Sequence, residues 1–403
     1  WCGKTSTGEQ QAKSVIYMSD SARRDQYRIF VDSTPKVILD GETPRLIDEW
    51  QQTPKLWDMV RFEVDHRHGM GQFILTGSAV PAKLEELHHT GTGRIARLLM
   101  RPMSLWESGD SNGTISLKEL FTSPKSIAAE NNNDLQRISY LICRGGWPQA
   151  ALLDDDEEIA LDQAIDYYDA VVNADIQRVD GVERNPERVK RLMKSYARSQ
   201  GTQTSLAEIR NDMLANDQSA LDEKTVSSYL DALRKIFVIE DMPAWNPNLR
   251  SKTSIRTTDT RYFVDPSIAT AALSIGPNDL MNDLNTLGLF FETLCVRDLR
   301  VFAQALDGNV FHYRDKTGLE CDTVVHLRNG DYGLIEIKIG GDKLIEEGAA
   351  NLKKLSQKID TTKMKSPSFL MILTAVGSFA YRREDGVYAV SYTHLTLPTS
   401  DLV

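Results

Sequence analysis

The stretch WCGKTSTGEQ, residues 1–10, decides the fold of the first part of the chain. Its Gly3, Lys4 and Thr5 fit the last three positions of the phosphate-binding signature GxxxxGK(S/T), which connects a strand to a helix. In that signature, backbone N–H groups cradle the phosphates, the lysine reaches the terminal phosphates, and the hydroxyl ligates Mg²⁺. The first glycine would lie three residues before Trp1, so we expect the chain to begin inside the loop, without its preceding strand.

Two later segments carry the residue types that an ATP site needs. The stretch PRLIDEW (44–50) is a short apolar strand leading into Asp48 and Glu49, which is the form of a Walker B strand. Such a strand places Asp48 at Mg²⁺ and Glu49 where it can orient and deprotonate the attacking water. The stretch QFILTGSA (72–79) is a second apolar strand, and Thr76 near its end can contact the γ-phosphate.

The order and spacing of these segments predict an ATP site, against a chance GKT tripeptide and an exposed acidic pair at a strand end. We therefore expect ATP and Mg²⁺ as cofactors, with Cys2 through Thr5 at the phosphates and Thr5 and Asp48 at the metal. An arginine usually offsets the charge that develops on the transferred phosphoryl group. The candidates are Arg94 and Arg97 in GTGRIAR and Arg144 in CRGGWP. Arg94 is preferred, although each also fits a surface or carboxylate-pairing role.

Together the motifs WCGKT, RLIDEW, FILTGS and GTGRIARLLMRPMSLWES resemble those of a family of prokaryotic AAA-superfamily ATPases, over roughly residues 1–390. The resemblance implies an α/β fold class with a P-loop NTPase core, a helical and winged-helix middle, and a restriction-endonuclease-like α/β domain at the C-terminus. It implies no known substrate. The superfamily includes hexameric rings, so a homo-oligomer stays open, although nothing in this sequence requires one.

The pattern of apolar and polar residues divides the chain into zones with soft boundaries. The expected zones are an AAA-type ATPase core at 1–110, a helical region at 111–185, a winged-helix-like segment at 186–265, an endonuclease-like α/β domain at 270–390 and a non-native tail at 391–403. The tail, SYTHLTLPTSDLV, does not continue the pattern of the domain and looks like translated sequencing-adapter DNA. A genuine terminal strand, HLTLP, is the alternative.

The bulk composition limits the functions that fit. A net charge of −10 argues against polyanion binding by the whole surface, so nucleic-acid contact needs a local basic face. The four cysteines show no CxxC spacing, which fits a reducing cytoplasm and argues against structural zinc or a disulfide framework. The histidines of DHRHG (65–69) and those at 88–89 lack partners at ligand spacing, so we expect them in exposed loops. No apolar stretch approaches the roughly 18 residues of a membrane span.

The middle of the chain offers a local basic face. The stretches TSLAEIRNDMLAN (204–216) and DEKTVSSYLDALRKIFVIED (222–241) predict two helices followed by a hairpin, which is a winged-helix layout. Residues 184–262 carry 14 lysines and arginines against 10 aspartates and glutamates. The basic residues on the proposed wing are Arg250, Lys252, Arg256 and Arg261. We expect DNA contact here through phosphates; a winged helix used only for domain packing is the alternative.

The stretch GLECDTVVHLRNGDYGLIEIKIG (318–340) predicts a hairpin that carries an ordered set of charges. Alternation places Glu336 and Lys338 on one face of the second strand, and Asp322 on the first strand can face the same cleft. This is the D…ExK arrangement of restriction-type nucleases, in which the two carboxylates bind Mg²⁺ and the lysine helps to activate water. Glu292 in FFETLC is a further candidate acid, and a strand with surface carboxylates is the alternative.

Two functional hypotheses follow. In the first, the chain is an ATPase that couples ATP hydrolysis to a DNA-binding or nuclease-like module. In the second, it is an ATP-gated scaffold whose catalytically silent nuclease fold only docks a partner. The two hypotheses keep the same folds, so only an activity that depends on residues such as Asp322 distinguishes them.

Overall fold

The chain is divided into two compact units. The computed structural model describes residues 2–78, 91–122, 128–130, 134–153, 156–215, 221–247, 258–377 and 379–396. The first unit comprises Trp1–Met100, Ala170–Pro186 and Ser228–Val238, and the second comprises Arg101–Asp169, Glu187–Ser227 and Ile239–Val403. The ATP-site motifs therefore belong to the first unit, and the D…ExK residues belong to the second.

The first unit is built on a parallel sheet. Its described strands, in their order across the sheet, are β1 Ser14–Tyr17, β2 Arg45–Asp48 and β3 Phe73–Thr76. The pairing aligns Tyr17, Asp48 and Thr76, so the carboxyl ends of the three strands lie at one edge. All four residues of β2 are buried, as expected for a central parallel strand built around Leu46 and Ile47. The α/β fold predicted for this part of the chain is confirmed.

Helices alternate with these strands. They are α1 Lys4–Gln11, α2 Arg24–Ser33, α3 Lys36–Leu39 and α4 Leu56–Arg67. Helix α1 begins directly after Gly3, whose φ of 82° is a left-handed conformation that glycine adopts without steric cost. A Cβ on Gly8 would lie 3.0 Å from the side chain of Leu46, so α1 packs closely on β2. In the core, the rings of Trp50 and Trp57 lie with centroids 5.1 Å apart.

The middle of the chain is mostly helical. Its helices and short strands are β4 Ile115–Ser116, α5 Leu117–Thr122, β5 Ala128–Glu130, α6 Leu135–Arg144, α7 Pro148–Ala151, α8 Glu157–Ala170, α9 Ile176–Arg178, α10 Pro186–Arg198, α11 Leu206–Leu214 and α12 Glu223–Lys235. The two helices predicted for the winged-helix segment are present as α11 and α12. A capping box between Ser205 and Glu208 fixes the start of α11. The predicted hairpin is present in the described residues as isolated antiparallel bridges, Ile239 with Phe263 and Met242 with Thr260.

The second unit contains a mixed sheet. Strand β5 belongs to it, and helices α13 Pro266–Leu273, α14 Pro277–Asn282 and α15 Leu284–Ala305 precede its other described strands. Its later strands and helix are β6 Gly308–Arg314, β7 Glu320–Leu327, β8 Tyr332–Lys338, α16 Asp342–Lys358, β9 Phe369–Thr374, β10 Phe379–Arg382 and β11 Tyr388–Ser391. The described order across the sheet is β5-β10-β11-β9-β8-β7-β6. The antiparallel pair β7 and β8 is the hairpin that the alternation predicted, and β9 lies parallel to β8.

The last described residues pack into the second unit, which differs from the expected break before residue 391. Strand β12, Leu395–Thr396, pairs in parallel with β4. The Tyr392 ring contacts Phe291 with centroids 5.5 Å apart, and its hydroxyl donates to the carbonyl of Leu294 at 3.0 Å. Tyr392 and Leu395 supply buried apolar surface to this unit, which favours the alternative of a genuine terminal strand, while the non-native tail at 391–403 stays a prediction. Residues 397–403 lie outside the described residues.

Candidate functional site

Three of the predicted ATP-site side chains meet at the carboxyl edge of the parallel sheet. The Thr5 hydroxyl, in the first turn of α1, donates to Oδ1 of Asp48 at 2.8 Å. The Thr76 hydroxyl, at the end of β3, donates to the same oxygen at 2.6 Å. Asp48 is only 5% exposed, which contradicts the alternative of an exposed acid at a strand end. The structure thus brings together residues that lie far apart along the sequence.

These oxygens fit a hard cation. Mg²⁺ prefers carboxylate and hydroxyl oxygens, and Thr5 and Asp48 present one of each within hydrogen-bonding distance of each other. The start of α1 adds backbone N–H groups and the positive end of a helix dipole, which favour a bound anion. Lys4 lies in the same turn, with Nζ 3.8 Å from Sγ of Cys2. Among the described residues, Lys4 has no carboxylate partner, so its ammonium group is available to phosphates.

Glu49 follows Asp48 in an unusual backbone conformation. Its φ of 55° and ψ of 42° lie in the left-handed region, which is uncommon for residues other than glycine and occurs often at active sites. A short 3₁₀ helix, Trp50–Gln52, begins at this point. The Glu49 carboxylate accepts hydrogen bonds from Gln51 and Ser78 through its Oε2 atom. The motif reasoning identified Glu49 but missed Gln51, since nothing in the pattern indicates that its side chain turns back.

The candidate arginines each have another partner. Nε of Arg94 donates to Oδ1 of Asp65 at 2.8 Å. The Arg97 guanidinium lies over the Trp57 ring, 5.2 Å from its centroid. Arg144, in the second unit, is buried and donates to Oδ2 of Asp110 at 2.7 Å, so it takes the carboxylate-pairing role. The role of Arg94 at a phosphoryl group stays a prediction.

The predicted D…ExK residues converge in the second unit. Nζ of Lys338 lies 2.6 Å from Oε2 of Glu336 and 3.1 Å from Oδ2 of Asp322. The same Asp322 oxygen accepts the backbone N–H of Ile337 at 2.7 Å, which ties β7 to β8. Asn351 of α16 donates to the other Glu336 oxygen at 2.6 Å. Asn351 was not identified from the sequence, because its approach depends on how α16 packs on the sheet.

A third acid adjoins this cluster, as the sequence suggested. Glu292 on α15 accepts a hydrogen bond from the Tyr262 hydroxyl. Burial, followed by the negative charge of Asp322, raises the pKa of Glu292 to about 8. The same two causes raise the pKa of Glu336, against the opposing charge of Lys338. Burial disfavours the charged lysine, yet Asp322 and Glu336 together raise the pKa of Lys338 above its usual value.

The cation that compensates these carboxylates in the structure is the Lys338 ammonium. In the ranges that the structure describes, no group of three or more His, Cys, Asp or Glu side chains could hold a metal ion. Asp322 and Glu336 offer oxygen donors of the type that Mg²⁺ prefers, and a cation already lies between them. The residues therefore fit a divalent cation chemically, with two side-chain ligands.

The predicted wing gives a different result. Arg261 is buried, donates to Asp241 at 2.9 Å and donates to the carbonyl of Thr204, so it is not a free wing arginine. Arg250, Lys252 and Arg256 lie outside the described residues, as do the histidines at 88–89. Exposed basic side chains occur instead along α10 at helical spacing. They are Arg191, Lys194 and Arg198.

Comparison with known proteins identifies three regions. Residues 1–108 match an AAA domain, residues 135–279 match a domain of unknown function (DUF8612), and residues 287–395 match another domain of unknown function (DUF4143). The first match supports a P-loop ATPase in the N-terminal part of the chain. No curated protein matches the chain. None of the helices in the described ranges has both the length and the apolar character needed to cross a bilayer.

A Walker-type ATPase of Pyrococcus abyssi is similar to this chain among solved structures. The two share 15% sequence identity, with a TM-score of 0.34. The similarity covers 57% of this chain and 62% of the other protein. The chain thus spans less than two thirds of the length of that ATPase.

Proposed function

We propose that this chain, whose N-terminal region matches an AAA domain, binds ATP with Mg²⁺ and hydrolyses it at the carboxyl edge of the parallel sheet. The observation that carries the proposal is the convergence of the Thr5 and Thr76 hydroxyls on Oδ1 of Asp48, at 2.8 and 2.6 Å. A buried carboxylate beside a helix N-terminus and a lysine that has no carboxylate partner among the described residues is suited to a cation–phosphate pair.

Each residue has a specific task in this proposal. Lys4 binds the terminal phosphates, with the backbone of Cys2 and Gly3 beside them, while Thr5 and Asp48 hold Mg²⁺. Glu49 orients the attacking water and accepts its proton. Thr76 contacts the γ-phosphate from the neighbouring strand. Bound Mg²⁺ supplies charge neutralisation at the phosphates.

ATPase measurements on purified full chain test these roles. Glu49→Gln is expected to keep ATP binding while turnover falls by at least about a hundredfold, since a positioned general base contributes that much. Asp48→Asn is expected to weaken Mg²⁺-dependent nucleotide binding. Glu42→Gln, an exposed acid in the turn before β2, is the matched control. Unchanged turnover in Glu49→Gln would remove Glu49 from the mechanism.

Arg94 remains our candidate for the residue that offsets phosphoryl charge, acting between copies of a homo-oligomer. Its side chain forms a partly exposed ion pair with Asp65 and donates a long hydrogen bond to the carbonyl of Thr92. A mixture of inactive Arg94→Ala and inactive Lys4→Ala proteins is expected to regain turnover, because one copy supplies the arginine and the other the phosphate site. No recovery on mixing would argue against a role in trans.

A second activity is favoured by the contact of Lys338 with both Asp322 and Glu336. We propose that these residues form a metal-dependent phosphodiester cleavage site, with Glu292 adjoining it. Nicking of plasmid DNA in Mg²⁺ or Mn²⁺ is expected for the wild type and lost in Asp322→Ala. Glu320→Gln, a neighbouring exposed acid on β7, is the control. Absence of cleavage together with intact ATP turnover would favour the scaffold hypothesis.

DNA is the partner we propose for residues 184–262, with the exposed face of α10 as the phosphate contact. Lys194 is exposed and has no carboxylate partner among the described residues. Lys194→Glu is expected to weaken duplex binding and to reduce its salt dependence, while Lys343→Glu, at an exposed position on α16, leaves both unchanged. Binding that does not vary with salt would exclude phosphate contacts.

All four cysteines are free thiols, and a cytoplasmic location remains our proposal.

A further inference from the structure

The Glu49 carboxylate is held by one of its two oxygens. Nε2 of Gln51 donates to Oε2 at 2.5 Å, and the Ser78 hydroxyl donates to the same Oε2 at 3.1 Å. Gln51 also donates to Ser78 at 3.3 Å, so the three side chains form a closed set. The other carboxylate oxygen, Oε1, receives no hydrogen bond from the described residues. The acid is therefore fixed in direction while one oxygen stays open.

The Gln51 amide occupies a space that Gly77 leaves open. A Cβ on Gly77 would lie 2.6 Å from Oε1 of Gln51, closer than real Cβ atoms approach other atoms. Gly77 does not have a positive φ, so its backbone alone does not require glycine. Oε1 of Gln51 is buried and has no hydrogen-bond partner among the described residues, whereas Nε2 donates to both Glu49 and Ser78. A carboxylate only accepts hydrogen bonds, so the amide nitrogen must face Glu49.

We propose that Gln51 and Ser78 are positioning residues that hold Glu49 ready as the general base, and that Gly77 preserves the place of the Gln51 amide. The proposal rests on the proposed hydrolysis of ATP through Glu49. The neutral amide and hydroxyl donors restrict the orientation of the carboxylate and leave its negative charge in place. A lysine or arginine at the same position would neutralise that charge. A base fixed in this way needs less reorganisation when the water attacks the γ-phosphate.

Steady-state kinetics of the full chain separate positioning from binding. In Gln51→Ala, kcat is expected to fall about tenfold, while KM and nucleotide affinity stay within about twofold, since Gln51 acts only through Glu49. Gln52→Ala is the matched control, because Gln52 lies in the same 3₁₀ helix and no side-chain hydrogen bond involves it in the described structure. Thermal melting of each variant checks that the fold is kept.

Gly77→Ala provides an independent route to the same defect. The added methyl group is expected to displace the flexible Gln51 amide and to lower kcat to a similar extent. In a Gln51→Ala background the methyl group no longer meets the amide, and its remaining close neighbour is Nε1 of Trp50 at 3.3 Å. Gly77→Ala is therefore expected to have little further effect on kcat in that background.

The outcomes distinguish this proposal from the proposed function. If Glu49→Gln abolishes turnover but Gln51→Ala leaves kcat unchanged, raises it or raises KM instead, the positioning role is wrong and ATP hydrolysis stands. Additive losses in the Gly77→Ala and Gln51→Ala double variant would likewise overturn it. If Glu49→Gln itself turns over normally, the assignment of the base fails, and the positioning role fails with it.

Discussion

Lys338 donates a hydrogen bond of 2.6 Å to Oε2 of Glu336, two residues earlier on the same strand. The Glu336 side chain is only 3% exposed, whereas Lys338 is 25% exposed. Successive side chains on a strand point to opposite faces, so residues two apart share a face. The ExK spacing therefore creates a partly buried ion pair whose loss leaves a carboxylate without its cation.

Removing the lysine alone is expected to destabilise the second unit. In Lys338→Met, the free energy of unfolding should fall by roughly 2–3 kcal/mol, because Glu336 stays buried without its cation and keeps, among the described residues, only the hydrogen bond from Asn351. Adding Glu336→Gln to this variant should recover part of the loss. Urea denaturation measures both, and Lys343→Met, which removes a pair with an 89% exposed lysine, should change stability little. No recovery in the double variant would contradict this account.

Glu292 should make stability depend on pH. Burial and Asp322 raise its pKa from 4.5 to about 8 in the folded protein, so the folded state binds more protons between these values. The contribution of Glu292 to the free energy of unfolding is fully present below about pH 4.5 and is lost as the pH rises through 8. Relative to Glu292→Gln, the wild type should lose at least about 1 kcal/mol of unfolding free energy between pH 5 and 8, measured by urea denaturation in EDTA. If the unfolding free energy of the two proteins changed with pH in the same way, Glu292 would not be the group that binds this proton.

The sequence could predict those features that depend on local alternation. Asp48 follows a short apolar run, so its position at the end of a buried strand can be predicted from the sequence. The contact between Glu49 and Gln51 cannot be predicted, because it depends on a left-handed backbone at a residue other than glycine, which no local pattern indicates. Arg261 was assigned to an exposed wing for a similar reason. Its partner Asp241 lies 20 residues away, and charge spacing alone does not reveal such a pair.

His312 should make the free energy of unfolding fall when the pH is lowered. The imidazole accepts the Gln203 amide at Nδ1 and donates from Nε2 to the Thr258 carbonyl, so the neutral form satisfies both neighbours. Burial lowers its pKa from 6.5 to about 4, and the unfolded state therefore binds more protons between these values. Its stabilisation is full above about pH 6.5 and is lost as the pH falls to 4.

The test compares unfolding free energies at pH 7 and pH 4.5 in the wild type and His312→Gln. The wild type should lose about 2 kcal/mol more than the variant over this range. His66→Gln, at an exposed position on α4, serves as control and should follow the wild type. An equal acid loss in His312→Gln would assign the effect to other groups.

The last residues of the chain should contribute to stability. Deleting 391–403 removes the buried side chains of Tyr392 and Leu395 and the pairing of β12 with β4. We expect the free energy of unfolding to fall by about 3 kcal/mol or more, from the apolar area lost. A melting temperature within error of the full chain would support instead the tail that the sequence pattern suggested.

Within this segment, one buried hydroxyl should itself be unfavourable. Thr393 is 2% exposed, and its Oγ1 finds no hydrogen-bond partner in the described part of the chain. Thr393→Val keeps the shape and removes the unsatisfied group, so stability should rise by about 1 kcal/mol. Thr293→Val is the matched control: Thr293 is equally buried, but its hydroxyl donates to the carbonyl of Leu289 at 3.1 Å, and its loss should lower stability. A loss of stability in Thr393→Val would show that this hydroxyl has a partner in solution.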